Sequence, residues 1–382
     1  MKGIRITFLE VVKILSFVGV LIVLIIKKFE INIFNSILFF YLLTLVYNFY
    51  KFSTNEILSI EEQSCKFFEK VLDEIKPDFL ITKEASRHHH QLFCELCNSI
   101  GIKVIMMSQA KIGYKCMLSE ESHKFPFPES LNSLQSSNLS LKEIQKYLKS
   151  FDVSKQLKSY LAKEGGSSRE FLKSVFEYLI SDNSHSQTQY YYYGRTKISV
   201  MKNFIKSCMN RYLRKSFIDH NLLKEVPKNS SYVYFPMAVD MERNLLITAP
   251  YYTNQIETIR HIVKSLPVNY QLYVKEHPSQ ANRNWRSISD YKEIMNIPNV
   301  RLFHPSFPSV ELYKKCSTII TIGGGSGFEA SLYGKPTILF GDMGYSIMPS
   351  VIKVKDFETL SDTIRETLPK KVDPLDVDRY IS

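Results

Sequence analysis

Cysteine is scarce in this sequence, and the scarcity excludes a disulfide scaffold. Six cysteines are spread over 382 residues, at positions 65, 94, 97, 116, 208 and 316. Small domains held together by disulfides carry cysteines far more densely than this. The sequence therefore indicates a reducing, cytosolic setting and a protein stabilised by apolar cores.

Metal ligands at a suitable spacing are also lacking. Cys94 and Cys97 form a CxxC pair just after His88–His90, but no second pair of ligands with fitting spacing accompanies it. Gln91–Ile100 instead has the pattern of a helix whose i, i+3 positions face a core. We expect neither a metal site nor a bound cofactor.

Acidic residues are outnumbered by basic ones, 38 to 49, which gives a net charge of +11. This balance favours an anionic partner, such as nucleic acid, an anionic membrane surface or a phosphorylated substrate. Seven basic residues lie between Arg195 and Lys215, interleaved with aromatic residues. They match no nucleic-acid-binding motif, so a solvated or lipid-facing helix is favoured and no nucleic-acid partner is expected.

The N-terminus lacks a small-residue cleavage site, which disfavours a signal peptide. Ile14–Ile26 and Ile31–Tyr50 are uncharged, and the second run is long enough to span a bilayer. Two interpretations remain open: a membrane hairpin or monotopic anchor, or a strand and helix in the core of an N-terminal domain. Peripheral or anchored attachment to the cytoplasmic face of the plasma membrane is expected, with a cytoplasmic location as the alternative.

Glycine is sparse too, yet four of the 14 glycines fall within five positions. They follow the β-branched run Thr318–Ile322 and precede a helical segment, Phe328–Tyr333, and a second apolar run, Thr337–Phe340. This order predicts a βαβ unit whose first strand ends at a ligand crevice. The four residues are Gly323, Gly324, Gly325 and Gly327.

The glycine loop is suited to phosphate, because its backbone can approach a ligand closely and free N–H groups lie at the start of the helix. Ser326 adds a hydroxyl donor, and the Glu329 carboxylate can accept hydrogen bonds from ribose hydroxyls. A turn that only packs the helix on the strand is the alternative. Gly325-x-Gly327-x-x-Ala330 also fits a dinucleotide fingerprint, but about 40 residues remain after Asp342, too few for a whole dinucleotide fold.

The rest of the chain divides into three parts. After the hydrophobic segment 1–50, residues 51–229 are predicted to hold a helix at 57–75 and then a βαβ pattern. From about Phe125 they lack strand signals, which predicts a helical insertion. Residues 230–382 hold strands and helices in alternation, which predicts a doubly wound domain. Its strands are predicted at 232–236, 271–275, 300–303, 318–322 and 337–340, with a helix at about 254–266.

A second polar cluster ends the strand Gln271–Lys275 of the same predicted domain. Lys275 and His277 would offer donors to a phosphate, Glu276 would orient them, and Pro278 fixes the backbone at the turn. Because this strand and the glycine loop belong to one sheet, both can face one crevice. An ion pair that caps the strand is the alternative.

The C-terminal half of the sequence resembles a known protein family. The segment from Tyr232 to Asp342, with YVYFPM, KEHPSQ and IGGGSGFEASLYGKP, resembles the capsule polysaccharide biosynthesis family, and a fainter resemblance reaches back to Ile57. The best understood members are Kdo transferases of the GT-B fold that use CMP-linked sugars. The resemblance implies an α/β, GT-B-like fold with two Rossmann-like domains facing a cleft and a helical insertion in the N-terminal domain.

The resemblance also assigns site residues. In the family, the His-Pro pair and the glycine loop with its following glutamate hold the nucleotide, which implies that role for His277, Pro278, Ser326, Gly327 and Glu329. Transfer requires a carboxylate as nucleophile or base. The family usually has a glutamine-containing loop after the first strand of this domain, where this chain has Met237–Glu242, so three candidates stay open. They are Asp240, Glu242 and Glu84, the last just past the end of an N-terminal strand beside Arg87 and His88.

The implied function is a nucleotide-sugar-dependent glycosyltransferase that transfers a sugar, with a Kdo-like sugar as one option, from a CMP-linked donor to a glycolipid or oligosaccharide. Its expected partners are the donor, a lipid-linked saccharide acceptor and an anionic membrane surface. Two alternatives remain: a CDP-polyol phosphotransferase of the teichoic-acid type, and a non-catalytic subunit of a polysaccharide assembly complex.

Overall fold

The computed structural model describes residues 49–85, 87–110, 115–121, 131, 133–150, 168–181, 193–227, 230–240, 242–354 and 356–381. The chain forms two compact units. The first unit comprises residues 1–105 and 152–205, and the second comprises 106–151 and 206–382. The domain boundary between 229 and 230 stays a prediction, and residues 1–48 of the hydrophobic segment lie outside the described residues.

The first unit begins with the predicted alternation of helix and strand. Ser53 caps the start of its first helix: the Ser53 hydroxyl accepts from the Glu56 N–H while the Glu56 carboxylate accepts from the Ser53 N–H, a capping box. Lys76, in a left-handed conformation directly before Pro77, caps its end. The elements are α1 (Thr54–Ile75), β1 (Phe79–Lys83), α2 (His88–Ser99) and β2 (Lys103–Gln109).

A short strand that the sequence did not predict, β3 (Cys116–Ser119), pairs antiparallel with β2. The strands form a three-stranded sheet in the order β1-β2-β3, and the division between the two units falls within β2. Three helices follow in the region predicted to lack strands: α3 (Leu141–Ser150), α4 (Ser168–Ile180) and α5 (Lys197–Asn221).

The second unit holds the predicted doubly wound domain. A π-helical turn at Asn244–Thr248 follows its first strand, and 3₁₀ turns lie at Pro278–Arg283 and Gly344–Ile347. The strands are β4 (Tyr232–Pro236), β5 (Gln271–Lys275), β6 (Val300–Phe303), β7 (Ile319–Thr321), β8 (Thr337–Leu339) and β9 (Val351–Lys353). The helices are α6 (Gln255–Ser265), α7 (Ile288–Met295), α8 (Ser309–Lys315), α9 (Ser326–Ser331), α10 (Leu360–Thr367) and α11 (Pro374–Ile381).

These six strands form one parallel sheet in the order β6-β5-β4-β7-β8-β9. Successive strands run outward from β4 to one edge and then outward from β7 to the other, so the winding direction reverses between β4 and β7. Open α/β sheets bind ligands at such a switch point, beyond the carboxyl ends of the strands. The α/β class and the Rossmann-like sheet of the predicted fold are confirmed, and the cleft between two domains stays a prediction.

Both faces of the sheet are buried, as expected for parallel strands covered by helices. Val233 and Phe235 contribute to the core on one face, and Tyr232 and Tyr234 to the core on the other. A third core cluster joins the 131–144 segment to the C-terminal helices, and there Ser136 donates to the Asp378 carboxylate at 2.6 Å. The β4 strand is therefore fixed from both sides, and so is the switch point beside it.

The sixth strand, β9, was not predicted. It is only three residues long and follows the turn Gly344–Ile347, so its apolar run was too short to be recognised in the sequence. The glycine-loop helix was placed too late, since α9 begins at Ser326 and not at Phe328. In the described part of the chain, no helix combines the length and apolar character needed to cross a membrane.

Candidate functional site

Three loops follow the carboxyl ends of β4, β5 and β7 around the switch point. The β4 loop begins at Met237, the β5 loop holds the His277–Pro278 turn, and the β7 loop is the glycine loop, Gly323–Gly327. Because β4 lies between β5 and β7, the His277–Pro278 turn and the glycine loop are about 10 Å apart across the strands. A ligand of nucleotide size can bridge that distance.

Buried hydroxyl groups hold the glycine loop from behind. Gly324 has a φ of +97°, a conformation that favours glycine, and its carbonyl accepts from the Tyr345 hydroxyl at 2.8 Å. Gly327 is closely packed: a Cβ there would lie 2.7 Å from Thr337 Cγ2 and from the Tyr345 hydroxyl oxygen. The loop is therefore pre-formed by the core beneath it.

The glycine loop leads directly into α9, where Glu329 lies. The amides of the first turn of α9 have no partner within the helix, as at every helix start. Glu329 lies one turn further on, exposed, and its carboxylate accepts from the Tyr313 hydroxyl at 3.1 Å. Tyr313 thus fixes the orientation of this carboxylate at the start of α9.

Lys275 is a buried cation under the same crevice. Its Nζ donates to Ser309 Oγ at 3.0 Å, and 5% of the residue is exposed. Burial lowers the pKa of Lys275, although the carboxylates of Glu329 and Glu276 oppose that shift. A buried ammonium held by one neutral hydroxyl is well placed to be stabilised by a ligand anion.

The sequence suggested that Glu276 orients the side chains of Lys275 and His277, but in the structure it does not. It is fully buried and instead binds Arg286, with 2.7 Å between Oε2 and Nε. The Tyr291 hydroxyl donates to the same oxygen at 3.0 Å, and the His277 N–H donates to the other at 2.7 Å. Burial raises the pKa of Glu276, and Arg286 opposes that shift.

Arg286 joins the β4 loop to the β5 loop. It forms a second ion pair with Asp240, and its Nη2 donates to the Ala238 carbonyl at 2.8 Å. Burial alone would lower the pKa of Arg286, but Glu276 and Asp240 raise it overall, so the guanidinium is charged at every working pH. Gln255 Nε2 adds a hydrogen bond to Asp240 Oδ1 at 2.9 Å.

His277 is exposed, and its tautomer follows from its backbone contacts. The Ser279 N–H donates to His277 Nδ1 at 3.1 Å, so the proton of the neutral imidazole lies on Nε2. Desolvation lowers the pKa of His277, and the charges of Lys275 and Arg286 act in the same direction. At neutral pH the exposed side chain therefore carries an N–H donor at Nε2.

The three candidate carboxylates differ in environment. Asp240 is occupied by Arg286 and Gln255, which makes it an anchor of the β4 loop. Glu242 lies on the surface just before the π-helical turn, and desolvation raises its pKa. That turn is close to the glycine loop, since a Cβ on Gly324 would lie 3.8 Å from Asn244 Nδ2. Glu84 is half-buried after β1, in the first unit.

A cavity of about 460 Å³ opens beside the His277–Pro278 turn. His304, just after β6, lies in its wall with Nε2 2.9 Å from Asp219 Oδ1 and Nδ1 2.6 Å from Ser306 Oγ. The hydrogen bond from His304 lowers the pKa of Asp219. The lining residues are Lys215, Ile218, Asp219, Lys275, Pro278, Trp285, His304, Pro305, Ser306 and Phe307.

The N-terminal histidines and cysteines form no comparable site. His88 is buried, and burial lowers its pKa to about 3, so it is neutral and shielded from solvent. Cys94 and Cys97 are buried on α2, and burial raises the pKa of both thiols. Within the described ranges, no group of three or more His, Cys, Asp or Glu side chains is arranged to hold a metal ion.

The segment that builds this site also identifies the family. A family model described as capsule polysaccharide biosynthesis protein matches residues 137–349, more than half of the chain. The chain belongs to the capsule polysaccharide biosynthesis family. The resemblance seen in the sequence is thereby confirmed, and the family supports the predicted class of enzyme, a glycosyltransferase. No curated protein sequence matches the chain.

Several solved structures are similar at low identity. UDP-GlcNAc 2-epimerase from Methanocaldococcus jannaschii shares 15% identity over 86% of this chain and 80% of its own, with a TM-score of 0.32. The β-Kdo 2,4-transferase of KpsC from Thermosulfurimonas dismutans shares 18% identity over 46% of this chain and 54% of its own, with a TM-score of 0.28. The β-Kdo 2,7-transferase of the same KpsC shares 12% identity over 46% of this chain and 52% of its own, with a TM-score of 0.29.

Sequence reasoning found the loops of the site but missed what fixes them. Arg286, Tyr345 and Ser309 were not singled out, because each contacts a residue more than 20 positions away in the sequence. The cavity was missed as well. One signal for it was available: a second His-Pro pair, His304–Pro305, follows β6 just as His277–Pro278 follows β5.

Proposed function

We propose that this protein is a glycosyltransferase of capsule or surface polysaccharide biosynthesis that uses a CMP-linked sugar donor. The observation that carries the proposal is the pairing of two phosphate-suited elements at one switch point. The glycine loop offers backbone N–H groups, and His277 offers Nε2–H across about 10 Å. Nothing in a purely structural role requires both elements to face the same crevice.

The nucleotide occupies the crevice with its phosphate between His277 and the glycine loop. Lys275 supplies a positive charge from below, and the N–H donors neutralise charge that develops on the leaving CMP. The Glu329 carboxylate, held by Tyr313, accepts a ribose hydroxyl. The aromatic walls of the cavity beside Pro278, formed by Trp285 and Phe307, accommodate a flat ring.

Glu242 is the proposed catalytic carboxylate. Asp240 is already bound by Arg286 and Gln255, whereas Glu242 lies on the surface, two residues before the Asn244 that approaches the glycine loop. Desolvation raises the pKa of Glu242, which is the direction that favours a general acid–base role. The acceptor in this proposal is a lipid-linked saccharide, and the reaction takes place at the cytoplasmic face of the plasma membrane.

The test is a transfer assay with a panel of donors: CMP-Kdo, UDP-GlcNAc and CDP-glycerol, each with glycolipid acceptors. We expect transfer from the CMP-linked sugar alone. Glu242→Gln should lower kcat by about 100-fold or more, as for loss of an acid–base group, with CMP affinity unchanged. Transfer from CDP-glycerol would assign the protein to the polyol phosphotransferases, and full activity in Glu242→Gln would exclude this carboxylate.

A further inference from the structure

An exposed apolar stripe runs along helix α5. Ile198, Ile205, Met209 and Tyr212 recur at intervals of seven, four and three residues, which places them on one side of the helix. Together with the adjacent Leu213 they are each between 53% and 75% exposed. A helix side that faced only water would carry polar residues here.

The opposite side of α5 is fixed to the protein. Arg214 Nη1 donates to the Asn284 and Trp285 carbonyls at 3.1 and 2.8 Å, and Arg211 Nε donates to Asn284 Oδ1 at 3.2 Å. Ser207 accepts from Asn284 Nδ2 at 2.6 Å. These contacts hold the helix from Ser207 to Arg214, so this part cannot rotate to bury the exposed residues beside it.

The charge of α5 indicates the partner of the stripe. The helix carries six Lys and Arg residues and one acidic residue, Asp219. Lys202 and Lys206 are exposed and, at 100° per residue, lie within a quarter turn of the stripe. In a two-fold contact with a second copy the same basic surface would meet itself, so charge repulsion disfavours self-association. An anionic partner is favoured.

We infer that the stripe of Ile198, Ile205, Met209, Tyr212 and Leu213 inserts into the surface of an anionic lipid bilayer. Aliphatic side chains gain by entering the acyl boundary, while Lys202 and Lys206 remain at the level of the headgroups. Nucleic acid also attracts lysine, but it offers no apolar phase for isoleucine and methionine. From Ile198 to Tyr212 the helix spans about 21 Å, so it lies in the plane of the membrane surface.

The test measures depth of insertion in the full-length chain. Cys116 and Cys208, both exposed, are replaced by serine, and a polarity-sensitive fluorophore is attached to Met209→Cys or, as the control, to Asn203→Cys. Asn203 is exposed on the same helix, about 120° away from Met209. Vesicles contain phosphatidylglycerol with acyl-chain spin labels, or phosphatidylcholine alone.

We expect quenching at position 209 and little at position 203, only with phosphatidylglycerol. Met209→Glu should weaken vesicle binding about tenfold and Asn203→Glu much less. Both variants add one negative charge, but only Met209→Glu also removes an apolar side chain from the membrane. An unquenched label at 209 on saturating vesicles, or no binding at all, would overturn the inference. So would a spectral shift without vesicles that grows with protein concentration, which would assign the stripe to a second copy.

Membrane binding by α5 does not require the proposed transfer chemistry. If the transfer assay is repeated with a water-soluble saccharide in place of the glycolipid acceptor, it and the vesicle assay fail independently. Raised salt provides a further check, since it should weaken binding through the lysines while quenching of the label in the remaining bound fraction persists.

Discussion

At the scale of single residues, Arg286 does most to hold the site together. It places one guanidinium between the buried Glu276 and the half-buried Asp240, and so ties the β5 loop to the β4 loop. Neither carboxylate has another cation in contact among the ion pairs of the described residues. The position of His277, whose N–H binds Glu276, therefore depends on Arg286 as well.

Arg286→Met should lower the free energy of unfolding by about 3–5 kcal/mol, because it leaves Glu276 charged and unpaired in the interior. The matched control is Arg260→Met. Arg260 also contacts two carboxylates, Glu257 and Glu293, but on the exposed surface, where ion pairs contribute little. Urea unfolding of both variants checks the contrast, and equal destabilisation would contradict a special role for the buried pair.

Lys275 gives the site a pH dependence. Its folded pKa is lowered, and only the protonated form attracts phosphate, so nucleotide affinity should be lost as pH rises through a value below that of an ordinary lysine. Binding measured from neutral to alkaline pH should show this loss in the wild type. Lys275→Met should bind weakly at every pH, without the alkaline step. A wild-type profile that is flat up to the titration of exposed lysines would contradict the assignment.

Among the elements, the glycine loop contains a glycine that is closely packed, Gly327, and one that has room for a side chain, Gly323. Gly327→Ala would place a Cβ 2.7 Å from Thr337 Cγ2 and from the Tyr345 hydroxyl, and should cost about 1–3 kcal/mol of stability. Gly323→Ala meets Met343 Sδ at 3.6 Å, an ordinary contact, and should fold like the wild type. Thermal unfolding separates the two variants. Equal stability would mean that the core beneath the loop yields more easily than its packing indicates.

The strands and helices around the loop were predicted from the sequence with unequal accuracy. The strand at 232–236 and the strand at 271–275 were predicted at their observed bounds, because apolar β-branched and aromatic runs end at turn residues. The helix at 326–331 was placed two residues late, since the sequence alone does not show that the backbone of the last loop residues is already helical. The strand at 351–353 was missed because three residues carry no periodicity.

Contacts between residues far apart in the chain escaped prediction altogether. Asp240 was proposed as a catalytic carboxylate, yet it is bound by Arg286, 46 positions later, and by Gln255. Tyr345 supports Gly324 from 21 positions away. Such pairs follow from the winding of the sheet, which brings loop ends together, and no local pattern records them. The loops that carry the site could be found, but the residues that fix them could not.

At the scale of the whole molecule, the doubly wound sheet is what makes the site. The reversal between β4 and β7 leaves a crevice, the glycine loop and His277–Pro278 border it, and the family match covers the segment that contains both. The exposed stripe on α5 and the hydrophobic run before residue 49 are two separate features of the same chain. The proposed place of the protein at a membrane surface can therefore be tested on α5 without reference to residues 1–48.

We propose that one cytidine nucleotide binds between His277 and the glycine loop, and calorimetric titration with CMP measures this binding. The wild type should bind one CMP per chain, and His277→Ala should bind about tenfold more weakly through loss of one hydrogen bond to a charged group. His220→Ala, which removes an exposed histidine from α5, should match the wild type. A wild type that binds no CMP, or a His277→Ala variant that binds it equally well, would show that the nucleotide does not bind at this place.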